Sequence, residues 1–325
     1  MKKYLLVIMV LGILLSCGDD DGIPEVTVVP PRPLSEVAAE NDEEIQEYLE
    51  THFYNYEDFT TPPANFDFRV RLDTIAGINS DKTPLSQQVT TIPIEVSSEQ
   101  FGLEEDEGDI THNLYYVNVR PGVGGSPTIA DSTLIKYEGS LLDGSQFDAI
   151  SDFTWQELPF FIRGFANGVA ALQSGSSEGL VVNPDGTSQI TNSGIGLLFI
   201  PSGLAYFNSP PTTTIGAYDP LIFSVELGLF IVDTDNDNDG IPSIMEDLNG
   251  DLDIFNDNTD NDVERDLGLL VGIPDFRDTD DDGDGVLTRT EISDANGNII
   301  FPYPDSDGDG TPDYLDIDIQ RDPDE

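Results

Sequence analysis

Residues 135–148 read IKYEGSLLDGSQFD, and this stretch decides the fold. Its first half alternates apolar and polar side chains, the period-2 pattern of a strand with one buried face. Asp143-Gly144 then marks a hairpin, because glycine accepts the positive φ of a tight turn. A second strand starts at Gln146 and carries Phe147 and Asp148. Working outward, Leu114–Val119 alternates as an upstream strand. Ile162-Arg163-Gly164-Phe165 opens a short helix with Phe165, Val169 and Leu172 on one face. Leu197–Ser202, Leu204–Tyr206 and an alternating strand at Pro220–Leu227 complete the pattern. Several strands with one short helix among them give the α+β class.

Four ordered runs, IKYEGSLLDGSQFD (135–148), FIRGFANGVAALQSG (161–175), LLFIPSGLAY (197–206) and PLIFSVEL (220–227), resemble the FKBP-type peptidyl-prolyl isomerase domain. The resemblance implies a twisted antiparallel sheet wrapped on a short helix, with an apolar pocket between them. It places Tyr137, Phe147, Asp148, Phe161, Ile162, Phe165, Tyr206, Ile215 and Phe223 around that pocket. Phe165 stands where the family usually has a tryptophan floor, which implies a roomier site. Phe207 replaces the glycine that normally follows Tyr206, so the loop over the pocket must bend differently. An insertion at Val182–Ser193 lengthens the hairpin after the helix, and Trp155 is matched to an aromatic of the central strand.

The residue types suit amide rotation. That barrier is about 18–20 kcal/mol, and X-Pro isomerisation in water takes tens to hundreds of seconds. No bond breaks, so neither nucleophile nor cofactor is needed. A dry aromatic cavity disfavours the polar planar amide. By the resemblance, Tyr206 donates to the substrate carbonyl and Asp148 forms a polar wall.

The chain has 325 residues and a formal net charge of −50. A body this acidic is a poor partner for nucleic acid or anionic headgroups. Residues 233–325 hold 30 acidic and 4 basic side chains, against 33 and 9 in all that precedes, so composition changes near Ile231–Asp233. Within that acidic tail, Asp235, Asp237, Asp239, Gly240 and Glu246 fall at positions 1, 3, 5, 6 and 12 of a calcium loop. Asp280, Asp282, Asp284, Gly285 and Glu291 repeat the spacing, and so do Asp305, Asp307, Asp309, Gly310 and Asp316. Ile241, Val286 and Thr311 take position 7, which offers a backbone carbonyl. Weaker partial loops occur at Asp247–Asp253 and Asp294–Asn298. With Pro242 and Pro312 at position 8, the tail resembles thrombospondin type 3 repeats, while the middle loop is closer to an EF-hand. Both imply bound calcium in a structural role; the bland alternative is a disordered acidic stalk.

Lys2 and Lys3 precede an apolar run, Tyr4–Leu15, too short to span a bilayer but suited to a signal peptide. Leu14-Leu15-Ser16-Cys17 resembles a bacterial lipobox, and Cys17 is the sole cysteine. Together with Asp19, Asp20 and Asp21, this implies a chain lipid-anchored at Cys17, in the outer membrane or at the cell surface. The expected organisation is a signal peptide (1–16), a tether (17–34), a helix-and-strand extension (35–110), the isomerase domain (111–231) and the tail (232–325). In the extension, Glu36–Phe53 is helix-prone, and Phe66–Leu72 and Thr90–Val96 read as strands. His52 and His112 read as structural. Two functions fit: an isomerase acting on Pro-containing segments of envelope proteins, or a non-catalytic peptide-binding module with a calcium-stiffened or adhesive tail.

Overall fold

A computed structural model describes residues 30–103, 106–184 and 187–321. Cys17, the signal-peptide run and the aspartates behind it lie outside the described residues. Helix α1 (Leu34–Thr51) buries Leu34, Val37, Ala38, Asn41, Ile45, Tyr48 and Leu49, a stripe at 3.6-residue spacing. The expected helix ends two residues early, because His52 begins a short strand, β1 (His52–Tyr54), followed by helix α2 (Tyr56–Thr60). The strand expected over Phe66–Leu72 is shifted: β1 pairs with β2 (Leu72–Thr74), and Phe66 and Phe68 instead pack with Phe59.

The main sheet follows: β3 (Thr90–Ser97), β4 (Asp109–Arg120), β5 (Ser132–Leu141), β6 (Gln146–Glu157), and, after helix α3 (Arg163–Ala170), β9 (Gly194–Ile200) and β10 (Leu221–Ile231). Its order is β3-β4-β9-β10-β5-β6, and its pairings are antiparallel. This is the α+β class that the alternating runs predict. The β5–β6 hairpin turns at Gly144, whose φ is +84°. Pro93 sits in β3, an edge strand, where its missing N–H costs no ladder bond. The Val182–Ser193 insertion forms its own small hairpin, β7 (Leu180–Val182) with β8 (Ser188–Ile190). Trp155 is not on a central strand: it lies on edge strand β6 and is 48 % exposed.

Both faces of the sheet are covered. One packs on α3 through Leu114, Ile135, Val169, Leu198, Val225 and Leu227. The other carries Tyr115, Val117, Ile195, Leu197, Phe199 and Ile222, and the extension buries them under Ile45, Tyr48, Leu49, Val70 and Leu85. Strand β9 (GIGLLFI) is accordingly buried at every position, which explains its unbroken apolar run. Residues 34–97 thus supply both a cover and an edge strand for the main sheet.

From Arg32 onward the chain forms one compact unit. The change of composition near Ile231 does not separate two bodies. Ile254 and Phe276 of the acidic segment join the core around α3. Arg163, at the start of α3, donates to the Asp251 carbonyl at 2.7 Å and pairs with Asp253 at 3.6 Å. The acidic segment also has a small core of Ile241, Ile292 and Tyr314, and two short helices, α4 (Asn261–Asp266) and α5 (Thr288–Glu291).

Candidate functional site

Helix α3 and strands β5 and β10 bring together most of the aromatic residues expected to surround a pocket. Tyr137 projects from β5, Phe223 from β10, and Phe165 from α3. The Tyr137 ring lies 5.4 Å from Phe165, 5.8 Å from Phe223 and 5.9 Å from Phe161, edge to face in each case. Phe147 stands edge-on to Phe223 at 5.5 Å. These separations and tilts match the favourable quadrupole geometry of aromatic pairs. Phe165, Phe223, Ile215 and Tyr137 are buried and form the floor. Phe147, Phe161, Ile162 and Tyr206 are half-buried and form the rim, while Asp148 is exposed beside them.

Gly139 explains how the rings come so close. A Cβ there would meet Phe147 at 2.7 Å and Phe223 at 2.9 Å, so only glycine leaves room for both. Phe161 stacks on Phe165 with centroids 4.6 Å apart.

Two polar groups mark the rim. The Tyr137 hydroxyl donates to Asp148 Oδ2 at 2.7 Å. Burial first, and then that carboxylate, push the Tyr137 hydroxyl well above the usual tyrosine range. Tyr206 is raised by burial and by the charge of Asp148, so it stays a protonated donor at neutral pH. Asp148 is thus bonded to Tyr137 and its charge reaches Tyr206.

The loop carrying Tyr206 bends as its unusual sequence demands. Phe207 adopts φ +47°, in the left-handed region that favours glycine, and is 1 % exposed. The conformation is strained for a side chain with a Cβ. Packing holds it: Phe207 lies 4.4 Å from Phe101 and 5.0 Å from Tyr218. Asn41 of α1 braces the same loop, accepting from the Ser202 N–H at 2.7 Å and donating to the Tyr218 carbonyl at 2.9 Å. Sequence reasoning left the role of the extension open, because no local pattern connects Asn41 with residues 161 and 177 positions away.

Both histidines are packed against neighbouring residues. His52 stacks on Tyr48 at 3.7 Å, and buried His112, its pKa lowered by burial, sits against the backbone of Gly203.

The acidic segment is folded. The sixth-position glycines, Gly240, Gly285 and Gly310, have φ of +108°, +94° and +105°, the sharp turn that the loop pattern needs. Carboxylates from each loop converge: Asp235, Asp237 and Asp239; Asp280, Asp282 and Asp284; Asp305, Asp307 and Asp309, each set with oxygens within 4.8 Å of one another. In every loop, position 9 holds position 2. Ser243 accepts from Asn236 N–H, Thr288 from Asp281 N–H and Asp313 from Ser306 N–H.

One carboxylate oxygen of each key residue is tied to a backbone N–H, for instance Asp239 Oδ1 to Ile241 and Asp284 Oδ1 to Val286. The other oxygen is buried without a hydrogen-bond donor in Asp237, Asp239, Asp280, Asp282 and Asp284; Glu246 has both oxygens so, and Glu291 has Oε2. Burial, and then neighbouring carboxylates, push Asp237 up to about 8, Glu291 to about 8 and Glu246 to about 10. A buried carboxylate without a donor is costly unless it is neutralised. Hard cations that take six to eight oxygens fit this donor set. The third loop differs: Asp305, Asp307 and Asp309 are exposed, and Asp316 accepts from Asp318 N–H.

The position-12 glutamates do not close on their own triads alike, and the partial loops separate. Asp294 accepts hydrogen bonds from Asn296 and Asn298. Asp247 Oδ1 remains buried and unpaired, as does Asp257 Oδ2. Two groupings were missed in the sequence. Asp260, Glu264 and Asp278 converge around α4, and Asp281 meets Asp239 and Glu246. The i, i+4 spacing of Asp260 and Glu264 was a readable signal for the first; nothing local signals the second.

Residues 236–304 match the family model described as BamM C-terminal. No similar protein was found among those of curated function. Solved structures similar to the chain include the following two. One is a peptidyl-prolyl cis-trans isomerase from Pseudomonas syringae pv. tomato, at 24 % identity and TM-score 0.30, with 36 % of this chain and 74 % of that one covered. The other is FkpA from Escherichia coli, at 22 % identity and TM-score 0.32, with 60 % of this chain and 61 % of that one covered. The chain therefore spans less than two thirds of FkpA. Both similarities concern the fold.

Proposed function

We propose that this chain is a peptidyl-prolyl cis-trans isomerase of FKBP type, acting on Pro-containing segments of envelope or surface proteins. The observation that carries the reading is the aromatic box of Tyr137, Phe161, Phe165, Phe223 and Phe147 with Asp148 and Tyr206 at its rim. A proline ring docked against the rim leaves water, and the planar amide loses the solvation that favours it. Tyr206, held protonated, would donate to the carbonyl as the amide twists. Asp148, fixed by Tyr137, would form the polar wall. No group is transferred, so positioning and desolvation do the work.

In this reading the chain is exported and lipid-anchored at Cys17, and its tail carries structural calcium. Asp235, Asp237, Asp239, Glu246, Asp280, Asp282, Asp284 and Glu291 would hold the ions, with Asp305, Asp307, Asp309 and Asp316 forming a more open site. Calcium supplies positive charge and oxygen coordination there; it has no part in isomerisation.

Phe161 stacked on Phe165 favours a second reading, in which a narrowed pocket binds peptide without turnover. A protease-coupled assay on a Pro-containing tetrapeptide separates the two. The isomerase reading expects acceleration that is lost in Tyr206→Ala and Asp148→Ala. A rate equal to the uncatalysed one, with unchanged circular dichroism, would leave the binding module.

A further inference from the structure

We infer that Asp281 is a ligand of the first loop's cation, so that the first and second loops form one binding unit rather than two independent sites. The inference deepens the calcium reading of the tail and rests on it.

Asp281 occupies position 2 of the second loop, a place that the loop pattern leaves outside coordination. The other two loops have Asn236 and Ser306 there, which are uncharged. Ser306 Oγ turns to its own loop and donates to Asp313 Oδ2 at 2.7 Å. Asp281 does not turn that way. Its backbone N–H is held by Thr288 Oγ1 at 3.1 Å, and its carboxylate meets Asp239 and Glu246 of the first loop with oxygens within 4.8 Å.

The decisive observation is what surrounds that carboxylate. Asp281 is 1 % exposed, and neither oxygen has a hydrogen-bond donor. Glu246 is equally buried, with both oxygens unpaired, and Asp239 Oδ2 is unpaired as well. Five buried oxygens of three acids therefore converge with no donor between them. Like charges this close cannot all remain ionised without a counter-charge. Among the described ion pairs, none involves any of the three. Oxygen-only donors in this number suit a hard divalent cation of the calcium type. Ile241 of the first loop and Ile292, the residue after the second, pack together with Tyr314 in the same small core, so the two loops are already held together.

A bridging ligand has a consequence that separate loops lack. Ordering the second loop places Asp281 for the first, so the first cation binds an incomplete site whenever the second loop is open. Occupancy of the two becomes positively linked.

The test is calcium titration by calorimetry on the full chain, comparing wild type with Asp281→Asn, which keeps shape and removes charge, and with Asp307→Asn in the third loop. The expected result is that Asp281→Asn weakens the tightest site at least tenfold and abolishes positive linkage between the first two sites. Asp307→Asn should change only its own site. A second measurement does not depend on this variant. Terbium luminescence sensitised by Tyr314, which packs with Ile241 and Ile292 in the core beside the first two loops, should fall severalfold in Tyr314→Phe with calorimetry unchanged. The inference is overturned if Asp281→Asn binds as wild type does, or if it raises Tm equally in calcium and in chelator. The latter would make Asp281 a protonated core acid. A wild-type chain that binds no calcium at all would sink the calcium reading itself, a result distinguishable from either.

Discussion

Phe276→Ala tests whether the acidic segment is docked on the main sheet and α3 or merely follows them. Phe276 is 0 % exposed and lies 5.0 Å from Phe255 and 6.4 Å from Phe160. Truncating a buried phenylalanine costs about 3–5 kcal/mol, depending on how far the site collapses. Here the neighbours can give: Phe160 and Phe255 are each about half exposed, so water and ring movement fill the space. The expected cost is therefore near the lower end, about 3 kcal/mol. Where that cost appears is the informative part. Phe276 packs on Phe255 of its own acidic segment and also reaches Phe160, just before α3, and the core around that helix. Arg163 and Asn167 add polar anchors to Asp251 and Leu252 nearby. Loss of Phe276 should thus loosen the docking while the sheet keeps its own core. Differential scanning calorimetry in calcium should show one transition in wild type. The variant should split, with the segment melting about 10–20 °C earlier, since 1 kcal/mol shifts a domain of under 100 residues by about 4–8 °C. Limited proteolysis at an intermediate temperature should then release a fragment ending near residue 232. A single transition in the variant, lowered by only a degree or two, would refute the docking.

Three further outcomes follow from the same contacts. Gly139→Ala should cost about 1–3 kcal/mol through overpacking and should displace Phe147 and Phe223; aromatic-region NMR shifts report the displacement and urea unfolding the stability. Asn41→Ala leaves the Ser202 N–H and the Tyr218 carbonyl without their partner, which costs about 1–3 kcal/mol. It should lower turnover of the tetrapeptide more than Asp42→Ala does, because the Tyr206 loop loses its brace. In chelator, the Tm of the chain should be higher at pH 5 than at pH 8. Glu246 and Asp281 have folded pKa values pushed up to about 10 and about 11, so the folded state holds more protons than the unfolded one. Their stabilisation is complete below the ordinary carboxylate pKa and is lost as pH rises toward the folded values. Excess calcium should flatten or reverse that trend, and a Tm in chelator that rises from pH 5 to pH 8 would contradict it.

Local patterns were legible where each residue's role depends on near neighbours. The β5–β6 hairpin, the short helix with Phe165, and the three glycine-centred loops all rest on spacings of a few residues. Trp155 was misplaced because an alternating strand looks the same at a sheet edge as at its centre; only pairing partners distinguish them. Phe66–Leu72 has strand alternation, yet its phenylalanines found a better partner in Phe59 than in a neighbouring strand.

The sequence by itself determined the α+β class, the aromatic residues that meet around Tyr137, and the turns at Gly240, Gly285 and Gly310, because periodicity and backbone sterics act within a few residues. Tertiary structure alone decided that residues 34–97 cover and extend the sheet, that Asn41 braces the Tyr206 loop, that Phe276 enters the core beside α3, and that Asp281 faces Asp239 and Glu246 across two loops. Those contacts join residues dozens to well over a hundred positions apart. They exist only once buried surface and unpaired charge have been satisfied together, which no local spacing encodes.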